Sequence, residues 1–165
     1  MGTQLSLPNR DELLQMNTKE INALLVDSVE TNNIENVQTL YDLFPKLDLN
    51  MQAGRLLQIA ASHNFPDILR FILKKGHGNV QLVDAFDAVS RNYTEIIEIL
   101  AEHRINIHQN EDRLLTASVL SGNVRLLKFL LQHGSDPNAN QQKALKTAWK
   151  VRNYPAVTIL HKYGA

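Results

Sequence analysis

One pattern of apolar residues occurs five times along this 165-residue chain. Each copy carries two apolar positions at matching places, and neighbouring copies lie 28 to 32 residues apart. A single copy of this length cannot bury its apolar face, whereas stacked copies form a continuous core, so the sequence predicts a repeat array. The two apolar columns consist of Val37, Leu69, Ile97, Leu127 and Val157, and of Leu40, Ile72, Leu100, Leu130 and Leu160.

Each copy has the plan of two helices joined by a short polar turn. The first predicted helix has about 8–10 residues and carries small side chains, which let neighbouring helices approach closely. The turn contains Asn or Gly, because these residues tolerate the left-handed conformation that a tight turn requires. The second helix has a broad apolar stripe, begins near Pro66 or Pro155 and ends at Gly76, Gly134 or Gly164. The small residues of the first helices are Ala60, Ala61, Ala88, Ala117, Ser118 and Ala148.

Two segments carry a resemblance to a known family. Residues 60–64 read AASHN, and residues 122–139 read GNVRLLKFLLQHGSDPNA. On these segments the chain resembles ankyrin repeats over roughly residues 20–165. The family's Thr-Pro-Leu-His opening is absent, and the period is shorter than the usual ~33 residues. The resemblance implies stacked helix pairs that bind other proteins and have no catalytic activity.

We therefore predict an all-α fold, an ankyrin-like solenoid of about five stacked helix–turn–helix repeats. Residues 1–19 are expected to form an N-terminal tail or capping segment, and residues 20–165 the repeat domain. The repeats are expected near residues 23–50, 55–81, 83–110, 113–140 and 143–165. We expect the array to be elongated and monomeric.

The resemblance also implies where a partner protein would bind. Contacts are expected on the concave side, at the end of each first helix and in the loop before it. His63, Arg91 and Leu120 are predicted to form a central patch that extends toward Lys150. The other predicted contact residues are Ser62, Ser90, Glu111 and Ser121, with further positions of the same kind at Glu30, Thr31, Gln52, Gln81, Asn110, Gln141, Gln142 and Val151.

Charge is balanced overall but uneven along the chain. The sequence has 17 basic and 17 acidic residues, which argues against a dedicated nucleic-acid-binding protein. Residues 1–50 carry eight acids and three bases, whereas residues 141–165 carry five bases and no acid. The basic end is interpreted as a solvated capping face or as a patch for an acidic partner. Because the row of first-helix ends runs from Glu30 to Lys150, we expect a partner with an acidic patch to be steered toward repeats three to five.

No motif predicts chemistry. The chain has no cysteine, and no P-loop, GxSxG or GxGxxG sequence occurs. His103 and His133 are expected to bind the carbonyl groups at the ends of second helices instead of a metal. Asp27 and Asp87 lie two repeats apart and are expected to be exposed, too distant for paired acid–base work. We therefore predict no catalytic residues, no cofactor and no metal.

Two isolated features each have two interpretations. Trp149, the single tryptophan, is expected to pack in the core against the fourth repeat, with an exposed binding hot spot as the alternative. The start of the chain fits an N-myristoylation pattern at Gly2, but such short patterns arise often, and we predict no membrane association. No apolar run reaches the ~18 residues needed to span a bilayer.

The predicted function is therefore a non-catalytic protein–protein interaction module. It would act as an adaptor, or as a blocker of a partner enzyme, in the cytoplasm. The alternative is a secreted pathogen effector that binds a host protein in the host cytosol. A degenerate array with 16 asparagines is compatible with that alternative. A small catalytic domain is the third hypothesis, for which the length leaves little room.

Overall fold

The computed structural model describes residues 6–49, 51–76, 81, 83–106 and 109–165, and the side chains at 51–53 and 109–111 lie outside this description. The chain divides into two compact units, which we call unit 1 (Met1–Val83) and unit 2 (Asp84–Ala165). All regular structure in the described ranges is helical, which confirms the predicted all-α class. Four positions singled out above, Gly2 and the side chains of Gln52, Asn110 and Glu111, fall outside the described residues.

Unit 1 consists of a short leading helix followed by two helix pairs. Helix α2 packs against α3 and α4, α4 packs against α5, and α3 packs against α5. First helices therefore lie beside first helices and second helices beside second helices, as stacked repeats require. Leu13 of the leading helix is buried, so part of the N-terminal segment joins the core. The helices are α1 (Arg10–Gln15), α2 (Thr18–Glu30), α3 (Ile34–Leu43), α4 (Met51–Ser62) and α5 (Pro66–Gly76).

Unit 2 consists of three helix pairs with the same arrangement. The first helices α6, α8 and α10 pack in that order, and each also packs against its own second helix. Helix α9 packs against α11. The helices are α6 (Phe86–Ser90), α7 (Thr94–Glu102), α8 (Gln109–Leu120), α9 (Val124–Gln132), α10 (Ala139–Lys150) and α11 (Tyr154–Lys162).

The core consists of the two predicted apolar columns and the small residues of the first helices. All ten column residues are buried, none more than 6% exposed, and Ala60, Ala61, Ala88, Ala117, Ser118 and Ala148 are buried as well. Complete burial of a leucine side chain stabilises the fold by about 1.5–3 kcal/mol relative to exposure. The predicted burial of both apolar columns is therefore confirmed, and Asp27 and Asp87 are exposed as expected.

The turn within each helix pair contains one left-handed residue at a fixed position. The amide of the residue after it donates a hydrogen bond to a carbonyl five residues earlier, for example from Asn153 to the carbonyl of Ala148 at 2.8 Å. This closure satisfies a carbonyl at the helix end. In the last pair the position is Arg152, a residue that disfavours positive φ. The five residues and their φ values are Asn32 (55°), Asn64 (61°), Asn92 (63°), Gly122 (71°) and Arg152 (57°).

The first helices differ in length from the predicted ~8–10 residues. Helix α6 has only 5 residues, whereas α4, α8 and α10 have 12 each. In these three helices a left-handed residue, Gly54, Asp112 or Gln142, precedes the last two turns. In α10 the left-handed backbone also includes Asn140 and Gln141, with φ between 47° and 60° over the three residues. The regular helix therefore starts at Arg55, Arg113 and Lys143, where the predicted repeats begin.

Histidines near the helix ends bind carbonyl groups, as predicted. Nδ1 of His103 lies 2.9 Å from the carbonyl oxygen of Ile99, and Nδ1 of His133 lies 2.8 Å from that of Phe129. Each carbonyl also accepts the backbone amide of the same histidine, so the imidazole adds a second contact at the helix end. Both histidines thus have a local structural role in this fold.

Candidate protein-interaction surface

The turns of unit 2 are held side by side by asparagine side chains. Nδ2 of Asn92 donates to the carbonyl oxygen of Ser121 at 3.4 Å. Nδ2 of Asn153 donates to the carbonyl oxygen of Val119 at 3.1 Å. Because these bonds join one repeat to the next, they bring the three turns of unit 2 into one row. The ends of α6, α8 and α10 accompany those turns, so the residues predicted for binding in unit 2 lie in neighbouring repeats.

The predicted contact residues of unit 2 present their side chains to solvent to different degrees. Ser90, Arg91 and Lys150 are exposed, and Leu120 is 61% exposed. Ser121 is half-buried, and its hydroxyl donates to the carbonyl oxygen of Ser118 at 3.2 Å. Among these residues, Leu120 is an apolar side chain that lies between the basic residues Arg91 and Lys150. In contrast, the side chain of Glu111 lies outside the described residues.

In unit 1 the equivalent position is the end of α4. His63 is exposed and Ser62 is half-buried. Nδ1 of His63 lies 3.1 Å from both the hydroxyl of Ser62 and the carbonyl oxygen of Ile59, and its ring stacks on Phe65. His63 belongs to unit 1, whereas Arg91 and Leu120 belong to unit 2, so the central patch of these three residues stays a prediction.

Trp149 does not pack in the core, contrary to the prediction. Its side chain is 53% exposed and touches Tyr154 edge to face, with ring centroids 6.2 Å apart. Val119, at the same repeat position, is buried because α8 lies between α6 and α10. Helix α10 packs against a first helix on one side, at α8. Burial of this position therefore depends on a neighbour on the second side. The alternative interpretation of Trp149 as an exposed contact residue stays a prediction.

A groove with an apolar floor lies along the first helices of unit 2. It has a volume of about 320 Å³, and its lining includes Phe86, Ala117 and Leu120. The guanidinium carbon of Arg113 lies 3.7 Å from the centre of the Phe86 ring, a cation–π arrangement. Nη2 of Arg113 is also 3.7 Å from a carboxylate oxygen of Asp84. The stacking and the ion pair together fix the arginine at the side of the groove.

A second groove of about 330 Å³ adjoins the first and is basic. Asn140 and Lys143 line both grooves, so the two are continuous. Lys143, Lys146 and Lys150 line the second groove and are all exposed. Spacings of three and four residues place these lysines on one face of α10. The predicted contact residues include Lys150 but not Lys143 or Lys146, although the spacing of the three lysines indicates this stripe.

Unit 1 has two further cavities of different character. One, of about 560 Å³, lies along α2 and α4, and its lining includes Lys19, Asp27 and Arg55. Nη2 of Arg55 is 3.3 Å from a carboxylate oxygen of Glu30. The other cavity, of about 430 Å³, is mainly apolar and is lined in part by residues of the loop after α3. The groove on the first helices of unit 1 thus carries both signs of charge.

Among the described residues, no group of three or more His, Asp or Glu side chains could hold a metal ion. Among the described helices, none has both the length and the apolar character needed to cross a bilayer.

Comparison with known sequences agrees with the repeat pattern. A family model described as ankyrin repeats (3 copies) matches residues 85–165. The human BCL-6 corepressor-like protein 1 is 32% identical over 116 aligned positions, covering 62% of this chain and 6% of that protein. A putative ankyrin repeat protein of Rickettsia bellii is 24% identical over 168 aligned positions, covering 84% of this chain and 45% of that protein. The chain thus spans less than half of either relative.

Comparison with solved structures extends the match into unit 1. The ankyrin repeat domain of Bcl-3, a member of the IκB protein family, superposes with a TM-score of 0.65 at 20% identity, covering 86% of each chain. The ankyrin repeat domain of human ASB11 superposes with a TM-score of 0.62 at 19% identity, covering 86% of this chain and 83% of that one. Coverage of that extent exceeds unit 2 and includes helix pairs of unit 1. Residues 85–165 therefore match ankyrin repeats in sequence, and the chain has the fold of ankyrin repeat domains.

Proposed function

We propose that this protein is a non-catalytic binding module that holds a partner protein on the concave row of first-helix ends, as an adaptor or as a blocker of a partner enzyme. Ankyrin repeats are in general protein–protein interaction modules, typically without catalysis. The observation that carries the proposal is the row of unit 2, where asparagine hydrogen bonds align the turns beside Arg91, Leu120 and Lys150. We place this activity in the cytoplasm.

Exposure of Leu120 supports the assignment of this row as the binding surface. An exposed leucine alone is ordinary on a protein surface. Leu120, however, stands at the end of a helix that packs on both sides, and it lines the apolar part of a groove. Apolar side chains that become buried in the centre of an interface carry much of its binding energy. Arg91, Ser90, Ser121 and Lys150 would form the polar rim around it.

A second hypothesis, a secreted effector that acts in a host cytosol, uses the same surface. The 16 asparagines and the relative in Rickettsia bellii support a bacterial setting. This hypothesis differs from the first in the origin of the partner and not in the residues that bind it. The residue-level test below therefore applies to both.

Site-specific photo-crosslinking tests the proposed surface. A photoreactive phenylalanine analogue replaces Ser90 or Ser121 in the row, or Ser62 in unit 1. Lys128 and Thr158 serve as control positions, because both are exposed on second helices. We expect the same cellular protein to be crosslinked from the row positions and not from the two controls. Equal crosslinking from Lys128 or Thr158 would contradict the proposal and favour the outer helices as the binding surface.

A further inference from the structure

We propose that the continuous groove of unit 2 binds an extended acidic segment of the partner protein, with one large apolar side chain seated beside Leu120. This inference rests on the proposed function and names the chemistry of the bound segment. It assigns binding roles to Phe86, Arg113, Lys143 and Lys146, which lie outside the predicted contact residues. We call these two adjoining cavities, from Phe86 to Lys150, the α8–α10 groove.

The apolar end of the α8–α10 groove is built to accept one side chain. Phe86, Ala117 and Leu120 line it, and Leu120 is 61% exposed. Arg113 lies flat on Phe86 and is held by Asp84, so its position is fixed before a ligand arrives. A prearranged site loses less entropy on binding than one that must be ordered by the ligand.

The basic end supplies uncompensated positive charge. None of the three lysines at positions 143, 146 and 150 forms an ion pair with another described residue. The described residues that line the α8–α10 groove include no acidic residue, and the sequence of α10 contains none. Three like charges on one helical face repel one another at helical spacing. An acidic ligand would relieve that repulsion, which argues for a ligand of negative charge.

The spacing of the lysines matches an extended peptide. Seven residues of α-helix rise about 10 Å from Lys143 to Lys150. An extended chain advances about 3.3 Å per residue, so acidic residues three positions apart are separated by roughly the same distance. The apolar anchor would precede or follow these acids by a few residues, because the two ends of the groove share Asn140 and Lys143.

The composition of the groove favours a protein over a nucleic acid. A nucleic-acid site usually combines a wide basic field with aromatic faces on which bases stack. Here the face of Phe86 is occupied by Arg113, and the chain as a whole has no net charge. An apolar pocket beside a short basic stripe instead suits a peptide that has both kinds of side chain. A single-stranded RNA is therefore a competitor in the test.

Fluorescence anisotropy of a labelled peptide tests the inference. The probe is a fluorescein-labelled peptide of about twelve residues, long enough to span the groove when extended, with one leucine followed by glutamates at every third position. The test variant carries Lys143→Gln, Lys146→Gln and Lys150→Gln. The control carries Lys128→Gln, Arg152→Gln and Lys162→Gln, which remove the same charge from other exposed positions of unit 2. A separate Leu120→Ser variant tests the apolar anchor.

We expect the full chain to bind the probe, the groove variant to bind it about tenfold more weakly, and the control to change affinity less than about threefold. The difference should shrink as salt rises, because exposed charges are screened. Leu120→Ser should weaken binding at every salt concentration. A probe with Gln in place of Glu should bind at least as weakly as the acidic probe binds the groove variant.

Several results would overturn the inference. These are no binding of the probe to the unmodified chain, equal losses in the groove and control variants, or an RNA oligonucleotide of matching length that binds more tightly through the same lysines. The far-UV circular dichroism of each variant shows whether it is folded. If the probe fails while crosslinking from Ser90 and Ser121 succeeds, only the acidic-segment inference is lost. If the crosslinking pattern also fails, the proposed function is lost with it.

Discussion

Units 1 and 2 have the same helix-pair arrangement but present different charges along their first helices. The groove of unit 1 contains Asp27 beside Lys19 and Arg55, and Arg55 is paired with Glu30. In the groove of unit 2, Arg113 is paired with Asp84, and the three lysines have no acidic partner among the described residues. The shared scaffold therefore does not determine which ligand suits each unit. That depends on the charges that remain uncompensated once the fold has formed.

The two units also differ in how their turns are connected. In unit 2, Asn123 and Asn153 cap their own helices and also donate to the preceding repeat, to Thr94 Oγ1 at 2.8 Å and to the carbonyl oxygen of Val119. In unit 1, Phe65 occupies the equivalent position before α5. Exposed large apolar residues are concentrated in unit 2 as well, at Leu120, Trp149, Val151, Tyr154 and Tyr163. Unit 2 combines a well-tied row of turns with the surface best suited to binding.

The largest expected effect tests whether the core is equivalent in both units. Leu40→Ala in unit 1 and Leu130→Ala in unit 2 remove side chains that are both 0% exposed in the same column. Each should lower the free energy of unfolding by about 2–5 kcal/mol, measured by urea denaturation followed by circular dichroism. Ser121→Ala is the control and should change stability by less than about 0.5 kcal/mol. Equal costs for core and control changes would show that the register is wrong.

The two units should contribute unequally to partner binding. Leu120→Asp in unit 2 should weaken partner affinity by about 2 kcal/mol, mainly through faster dissociation, since it places a charge at the apolar anchor. His63→Asp in unit 1 should have a smaller effect. Surface plasmon resonance with the crosslinked partner measures both. Because Leu120 is 61% exposed, the variant should remain folded, and unchanged affinity would remove this residue from the interface.

The loss of stability caused by replacing a turn asparagine should increase with the number of repeats that its side chain connects. Asn153→Ala removes both the cap on α11, at 3.2 Å from the amide of Ala156, and the bond to Val119. We expect a loss of about 1–2 kcal/mol in unfolding free energy. Asn33→Ala removes a cap of 3.0 Å in unit 1 and should cost about 1 kcal/mol. A larger loss at Asn33 would reverse this ranking.

The smallest effects concern the left-handed turn residues. Arg152 has a φ of 57° and Gly122 a φ of 71°, in equivalent turns of unit 2. Arg152→Gly should raise stability by about 0.5–1 kcal/mol, because the backbone strain outweighs the extra flexibility of glycine. Gly122→Ala should lower it by a similar amount from φ alone, since an added Cβ meets no atom within 4 Å. The melting temperatures of both variants measure these changes in stability. Shifts of the same sign would contradict the role given to positive φ.

Much of the fold follows from local pattern. The apolar columns, the small residues of the first helices, and the Asn or Gly turns each act within a few residues of the chain, so their spacing predicted the helix pairs. Pro66 indeed begins α5, and Pro155 lies in the first turn of α11. The prediction for Trp149 was wrong because its burial depends on a helix packed from another repeat. Repeat position alone does not report whether such a neighbour is present.

The sequence by itself determined the periodicity, the all-helical class and the set of buried columns, because these depend on contacts that every repeat makes alike. Only the tertiary structure decided which charges pair and which stay uncompensated. Arg113 meets Phe86 and Asp84 from positions 27 and 29 residues away, and the three lysines of α10 lie beside a groove that α8 completes. Such contacts link different repeats, and their geometry depends on how two helices pack, which residue spacing within one repeat does not specify.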